Sequence, residues 1–249
     1  MLPASRTSGT GAARLLPVLF IGHGSPMNAI EESPYTAALK SLKLPRPKAI
    51  LVLSAHWVTD GTYVQASART KTIHDFSGFP EELNRFLYPA PGAPEYAKKT
   101  AKLLHAKMTE EWGFDHGAWS VLHHLFPEAD IPVFQVSIDP QADHKELGKR
   151  LQPLRNEVLI IGSGNVVHNL QHMGKDNAWA KQFDAWVKTQ LEEGKSLDNY
   201  QHAPGASLAA DEHFLPLLYA LAAAEGEKIT TIYEGIELGS MSMRSIRIG

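Results

Sequence analysis

Four histidines stand where an apolar run meets a Gly, Ser or Asn context, and their placement is the strongest chemical signal in the chain. His23 follows the run from Pro17 to Gly22, and His56 follows Ala49 to Ala55. His168 comes shortly after the run from Val158 to Gly164, and His213 precedes the apolar stretch Phe214 to Tyr219. In open α/β sheets ligands bind beyond the carboxyl ends of the strands, where side chains from distant parts of a chain converge. Imidazole is the commonest protein metal ligand, so such a convergence would make a single mononuclear metal site. The chain has no cysteine, which removes disulfides, zinc fingers and iron–sulfur clusters and leaves nitrogen and oxygen donors only.

Each candidate also has an ordinary reading. Gly22-His23-Gly24-Ser25-Pro26 is either a turn with a solvated histidine or a turn whose glycines leave an imidazole accessible to a metal. Its serine lacks the Gly-x-Ser-x-Gly pattern of a nucleophile elbow. His56, directly after the most hydrophobic run, either packs as a neutral core residue or points into a site beside His23, on what looks like a neighbouring strand. Gly162-Ser163-Gly164-Asn165 resembles a phosphate loop but lacks the Lys-Ser/Thr pair and the acidic partner that such loops need. His213 could simply occupy the first turn of a helix. In Phe114-Asp115-His116-Gly117, Asp115 could cap a helix or orient another group while His116 reaches a pocket. His74, Asp75 and Phe76 lie in an aperiodic segment rich in Gly, Pro and aromatics, from Thr70 to Pro94, and are expected to line a substrate pocket. A loop of that length is unusual in a compact domain unless it is functional. His123 and His124 read as surface or packing residues.

The elements that must position these groups alternate. Strands are expected at Leu16–Ile21, Ala49–Ser54, Thr62–Ala66, Pro132–Ile138, Glu157–Ile161, Ile229–Glu234 and Ser242–Ile248. Helices are expected at Tyr35–Leu42, Pro94–Lys107, Gly117–Phe126, His144–Asn156, Ala178–Glu193 and Glu212–Ala224. That order predicts a single α/β domain, with a mostly parallel central β-sheet flanked by helices, over residues 15–249. Residues 1–14, polar and rich in small side chains, read as a flexible N-terminus and not an export signal. The formal net charge is -3 with acids and bases interspersed, so no basic stripe points to nucleic acid and no polybasic run to a membrane surface. No apolar run approaches the roughly 20 residues that span a bilayer. A cytoplasmic protein with a small-molecule partner, monomeric or a small homo-oligomer, is the expectation.

Eight ordered motifs resemble one family. They are Gly22-His23-Gly24-Ser25-Pro26-Met27-Asn28, Ser54-Ala55-His56-Trp57, the stretch from Ile73 to Pro80, Tyr88-Pro89-Ala90-Pro91-Gly92, the stretch from Trp112 to Trp119, Gly164 to Leu170, Glu212 to Tyr219, and Gly239 to Met243. Together they resemble the DODA-type extradiol aromatic ring-opening dioxygenases, the 4,5-DOPA dioxygenase branch of the LigB-like class III superfamily. The match runs from about Leu16 to the C-terminus and is weakest between Leu170 and Ala210.

The resemblance implies a LigB-like, phosphorylase/hydrolase-like architecture with a metal at the carboxyl edge of the sheet. It implies His23, His56 and His213 as metal ligands, His168 against the metal or acting as acid/base, and His116 as the histidine that meets substrate or dioxygen. Its cofactor would be Fe(2+), and its partners a DOPA-like catechol and O2. One departure stands out. Non-haem iron oxygenases usually present two histidines and one carboxylate, whereas this set is all imidazole, which suits Zn(2+) as well as ferrous iron. Two rival readings follow: a zinc-dependent hydrolase, and a non-enzymatic metal-binding member of the superfamily, against which the presence of His116 and His168 weighs.

Overall fold

The structure is a computed structural model that describes residues 15–209 and 212–249. The expectation for residues 1–14 lies outside the described residues. In chain order the strands are β1 (Val18–Gly22), β2 (Ala49–Val58), β3 (Tyr63–Gln65), β4 (Lys107–Thr109), β5 (Val133–Ile138), β6 (Val158–Gly164), β7 (Ile229–Tyr233), β8 (Ile236–Glu237), β9 (Met241–Ser242) and β10 (Ser245–Ile248). The helices are α1 (Pro34–Ser41), α2 (Glu81–Asn84), α3 (Pro94–Leu104), α4 (His116–Leu125), α5 (His144–Leu151), α6 (Ala178–Glu192), α7 (Ala206–Ala209) and α8 (Leu215–Ala223).

Eight strands form one sheet in the order β4-β3-β5-β2-β6-β1-β10-β7. The central β5-β2-β6-β1 block is parallel, and β10 and β7 close one side antiparallel. This is the predicted mostly parallel α/β sheet. The continuous apolar runs are explained by burial on both faces. In β1, Val18 and Phe20 pack into one core, with residues of α3, α5, α6 and α8, while Leu19 and Ile21 pack into the other, against α1 and α4. The two-residue period of a strand thus divides one apolar run between two cores.

Several details differ from the sequence reading. First, β1 and β2 are not hydrogen-bonded neighbours, because β6 lies between them and pairs with both. Second, β2 and β6 run past their expected ends. β2 continues through His56 to Val58 across an irregularity in its pairing with β5, and β6 absorbs Gly162, Ser163 and Gly164, which read as a turn. Third, the small hairpin of β8 and β9 and the edge strand β4 carried too few residues for a periodic signal. Glu212–Ala224 shortens to Leu215–Ala223, which leaves His213 in the turn before α8. The Thr70 to Pro94 segment is held by a bridge between Thr72 and Phe114, and by hydrogen bonds from Ile73 N to Phe114 O (2.8 Å) and from Trp119 Nε1 to Ile73 O (3.0 Å). Among the described residues no helix is long and apolar enough to cross a membrane.

Candidate metal centre

The carboxyl ends of β1, β6 and β2 lie side by side, and each contributes to one cluster. His23 leaves the end of β1, where its N–H donates to Gly164 O of β6 at 3.0 Å. His56 sits near the end of β2. His116 opens α4 on one face of the sheet, and His213 lies before α8 on the other. Helix α4 begins there because Asp115 caps it, its Oδ1 accepting the Ala118 N–H at 3.1 Å. Asp115 is fully buried, and its oxygens also accept from Ser54 Oγ (2.7 Å), Gln135 Nε2 (2.7 Å) and Trp112 Nε1 (3.1 Å). Both roles considered for this acid, cap and orienting group, are combined in one carboxylate.

The imidazoles meet. Nε2 of His56 lies 3.1 Å from Nε2 of His23 and 3.4 Å from Nε2 of His213. A nitrogen of His116 lies within 4.8 Å of nitrogens of His23 and His56, and the His56 and His116 ring centroids are 3.8 Å apart. His168 stacks flat on His213, with centroids 3.6 Å apart and planes 8° from parallel. Its backbone is set by a bridge to Met241 and by a bond from its N–H to Ala209 O at 3.2 Å. The structure therefore gathers His23, His56, His116 and His213 directly and adds His168 through its stack.

Hydrogen bonds fix which nitrogens carry lone pairs. Ser163 Oγ donates to Gly117 O at 2.5 Å, so its contact with His23 Nδ1 at 2.9 Å has the ring as donor. That leaves His23 Nε2 unprotonated. His56 Nδ1 lies 3.1 Å from Asp75 Oδ2, and a carboxylate only accepts, so this contact calls for a proton on Nδ1 and leaves Nε2 as the atom with which the neutral ring would bind a metal. The two Nε2 atoms face each other across 3.1 Å, a spacing at which they can share a proton or, with both rings neutral, hold a cation between them. Burial, and then the neighbouring imidazoles, push the His23 pKa well below its usual value, which keeps it in the neutral form that metals bind. His23 is 1% exposed, not accessible as the flanking glycines suggested, and Met243 packs closely on those glycines, Gly22 and Gly24.

Nitrogen donors at about 2.0–2.1 Å from a metal, at angles between octahedral and tetrahedral, lie roughly 2.8–3.4 Å apart. The His23–His56 and His56–His213 contacts fall in that range, and His23, His56 and His116 each offer a nitrogen within 4.8 Å of the others, so this chain's residues fit a metal ion. The close approach depends on Gly164, where a Cβ would stand 2.1 Å from His213 O.

Asp75, His74 and Phe76 take separate positions. Both oxygens of Asp75 face protein donors: Oδ2 the Nδ1 atoms of His56 and His116, and Oδ1 the His116 backbone N–H at 2.9 Å. Burial alone would raise the Asp75 pKa, but hydrogen bonds from His116 and His56 outweigh it and hold the carboxyl below its usual range. Burial lowers the His116 pKa, with the Asp75 hydrogen bond opposing. His74 donates from Nε2 to Phe86 O at 3.0 Å. Phe76 sets its ring edge-on to His116, with centroids 5.6 Å apart, and packs against Phe79 and Trp119, forming an aromatic wall beside the cluster. His124 is a packing residue whose Nε2 bonds Asn28 O at 2.6 Å. A groove of about 860 Å³ elsewhere, lined in part by Leu191, Leu221 and Ile229, borders none of the clustered histidines.

Ser163, Ser54 and Gln135 were not singled out from sequence. Ser163 carried a faint signal, a hydroxyl between two glycines at the end of a buried strand. Ser54 and Gln135 carried none, because their partner Asp115 is distant in the chain.

Known proteins share this arrangement of sequence and fold. Residues 18–244 match the family described as the catalytic LigB subunit of aromatic ring-opening dioxygenase. The chain is 47% identical to a 4,5-DOPA dioxygenase extradiol of Escherichia coli strain K12, over 94% of this chain and 95% of that one. It is 42% identical to the 4,5-DOPA dioxygenase extradiol of Beta vulgaris, over 92% and 94% of the respective chains. A crystal structure of an uncharacterized protein from Escherichia coli K12 superposes with a TM-score of 0.81 at 42% identity, covering 94% of this chain and all of that one. With a match that spans nearly the whole sheet and every clustered histidine, the chain belongs to the LigB family of aromatic ring-opening dioxygenases.

Proposed function

We propose that this enzyme cleaves the ring of a DOPA-like catechol in extradiol fashion, adding both atoms of O2, with the working metal ferrous iron held by His23, His56 and His213. The observation that carries the metal site is the set of Nε2 contacts at 3.1 and 3.4 Å, with the Nδ1 atoms of two of the rings engaged by Ser163 and Asp75. The DOPA-like substrate class rests on the names of the relatives. Ferrous iron, when bound, supplies the redox activation of dioxygen and the acidification of catechol hydroxyls, neither of which protein side chains provide. The product is a ring-opened semialdehyde that contains both oxygen atoms, so no external reductant is needed.

The protein's own groups bind, orient and move protons. Because Asp75 holds the Nδ1 proton of His116, exchange with substrate or dioxygen takes place at His116 Nε2. His168, stacked on His213, is the general base for a catechol hydroxyl. Phe76 offers a flat apolar wall to a planar ring and helps exclude water.

The test is anaerobic loading with ferrous iron, followed by oxygen uptake with a catechol panel that includes DOPA, with zinc-loaded protein and His168→Ala alongside. Uptake by the iron form only, lowered in the variant, supports the reading. An iron-loaded enzyme that consumes no oxygen with any catechol overturns it, and hydrolysis supported by zinc would favour the rival. Zinc has no redox chemistry, so a zinc-filled preparation is expected to be silent in this assay.

A further inference from the structure

Asp75 sits in the irregular segment between β3 and α3, yet its position is tightly specified. Two residues before it, Ile73 is fixed by bonds from its N–H to Phe114 O and from Trp119 Nε1 to its carbonyl. Phe114 N–H in turn donates to Lys71 O at 2.7 Å. The carboxylate is thereby pressed against the start of α4. One oxygen, Oδ2, meets two imidazoles at once, His56 Nδ1 at 3.1 Å and His116 Nδ1 at 2.9 Å, while Oδ1 takes the His116 backbone N–H. The carboxylate side chain is only 16% exposed, so water does not compete strongly for these contacts.

We infer that Asp75 is a positioning residue that locks His56 and His116 together as Nδ1–H tautomers through a single oxygen atom. One carboxylate then sets both the lone pair that His56 offers to the metal and the lone pair with which His116 exchanges protons. This rests on the reading of His56 as a ligand given above. The sharing matters because the two rings, 3.8 Å apart and tilted by 53°, cannot reorient independently about that oxygen. The imidazole nitrogen opposite a metal ligand atom usually donates to such a partner, and loss of the partner weakens metal binding about 10–100-fold.

The discriminating variant is Asp75→Asn, which keeps shape and removes one acceptor. With the amide nitrogen at the Oδ2 position, a donor faces two ring N–H groups. With the amide turned over, a donor faces the His116 backbone N–H. Either way the pair cannot stay as it is. The tautomers are read by nitrogen NMR of metal-free protein, with the two rings assigned through His56→Asn and His116→Asn samples. Wild type is expected to show Nδ1–H on both rings, and Asp75→Asn to convert at least one to Nε2–H. Zinc affinity, measured by chelator competition, is expected to fall about 10–100-fold in that variant.

If wild type itself carries a proton on Nε2 of either ring, the inference is wrong, whether or not the variant folds. It is equally wrong if Asp75→Asn loses zinc while both tautomers persist, because the carboxylate would then act by charge alone. Failure of the wild-type protein to bind zinc would instead count against the metal-site reading and leave the tautomer result to judge Asp75 separately.

Discussion

Gly164→Ala tests how the sheet edge builds the metal centre. A methyl group at residue 164 would stand 2.1 Å from His213 O, about 0.9 Å inside the 3.0 Å limit that real Cβ contacts respect. Neither side yields easily. The His213 carbonyl accepts the Asn165 N–H at 2.9 Å, and Gly164 O accepts the His23 N–H at 3.0 Å, so a retreat by either segment pulls on a clustered histidine. Overpacking of this kind costs about 1–3 kcal/mol. For a chain of this size that corresponds to a Tm lower by about 2–12 °C. Metal binding should suffer more than stability, because ligand distances tolerate only about 0.2 Å and the His213 Nε2 contact at 3.4 Å moves with its backbone. Urea unfolding of the metal-free protein and zinc competition against a chelator measure the two effects separately. Zinc affinity more than tenfold weaker, beside a modest loss of stability, is the expected pattern. A Gly164→Ala protein that binds zinc as tightly as wild type would show that His213 is not held by this contact, and the reasoning would fail.

Three further perturbations address the supporting residues. Ser163→Ala removes the acceptor for the His23 ring and the donor to Gly117 O, both buried. It should cost about 1–3 kcal/mol in urea unfolding and weaken zinc about 10–100-fold; unchanged zinc affinity would mean that His23 is oriented by packing alone. Asp115→Asn turns one oxygen that accepts from Gln135 and Trp112, or from Ser54 and Ala118, into a donor. Thermal unfolding should register about 1–3 kcal/mol, and a Tm equal to wild type would show that the network relaxes freely. Away from the site, Arg155 and Glu227 form a two-point pair, and the hydrogen bond from Arg155 holds the Glu227 carboxyl below its usual range. A carboxyl lowered in the folded state contributes stability above its unfolded value of about 4.3 and loses it as pH falls through the folded value. Glu227→Gln should therefore destabilise at pH 7, by about 1–2 kcal/mol given its partial exposure, and by much less at pH 3. Equal losses at both pH values would contradict the assignment.

The sequence made the sheet legible because apolar runs such as Val158 to Ile161 admit few other fates in a chain with this alternation of elements. Gly162-Ser163-Gly164 defeated the boundary rule for a physical reason. These residues lack bulk because other backbone segments press on them: Pro216 O against Gly162 and His213 O against Gly164. Composition reads the same scarcity of side chain as a turn. Strand order was also beyond a linear reading. His23 and His56 were expected on neighbouring strands, and they meet although β6 separates them. The clustering of His23, His56 and His213 was anticipated from their positions beside apolar runs and from the family resemblance. The partners of those histidines were not, since hydrogen bonds spanning 61 to 140 residues, such as Ser54 to Asp115 and His23 to Ser163, leave no local pattern.

The departure from a two-histidine, one-carboxylate centre has a structural counterpart. The three clustered Nε2 atoms are all imidazole nitrogens, yet a carboxylate oxygen lies 3.1 Å behind His56. A hydrogen bond from ring N–H to carboxylate raises the basicity of the opposite nitrogen, so a metal held by His56 would receive part of the electron donation that a coordinated carboxylate would give. Asp75 stays attached to the protein while it does so, and its second bond ties the same charge to His116. Moving the carboxylate into the cluster with His213→Glu should therefore change the preference between zinc and ferrous iron more than it changes the fold. Competition between the two metals, scored by their ratio in the anaerobically loaded protein, checks this. A ratio equal to wild type would mean that Asp75 already supplies all the charge the ion senses.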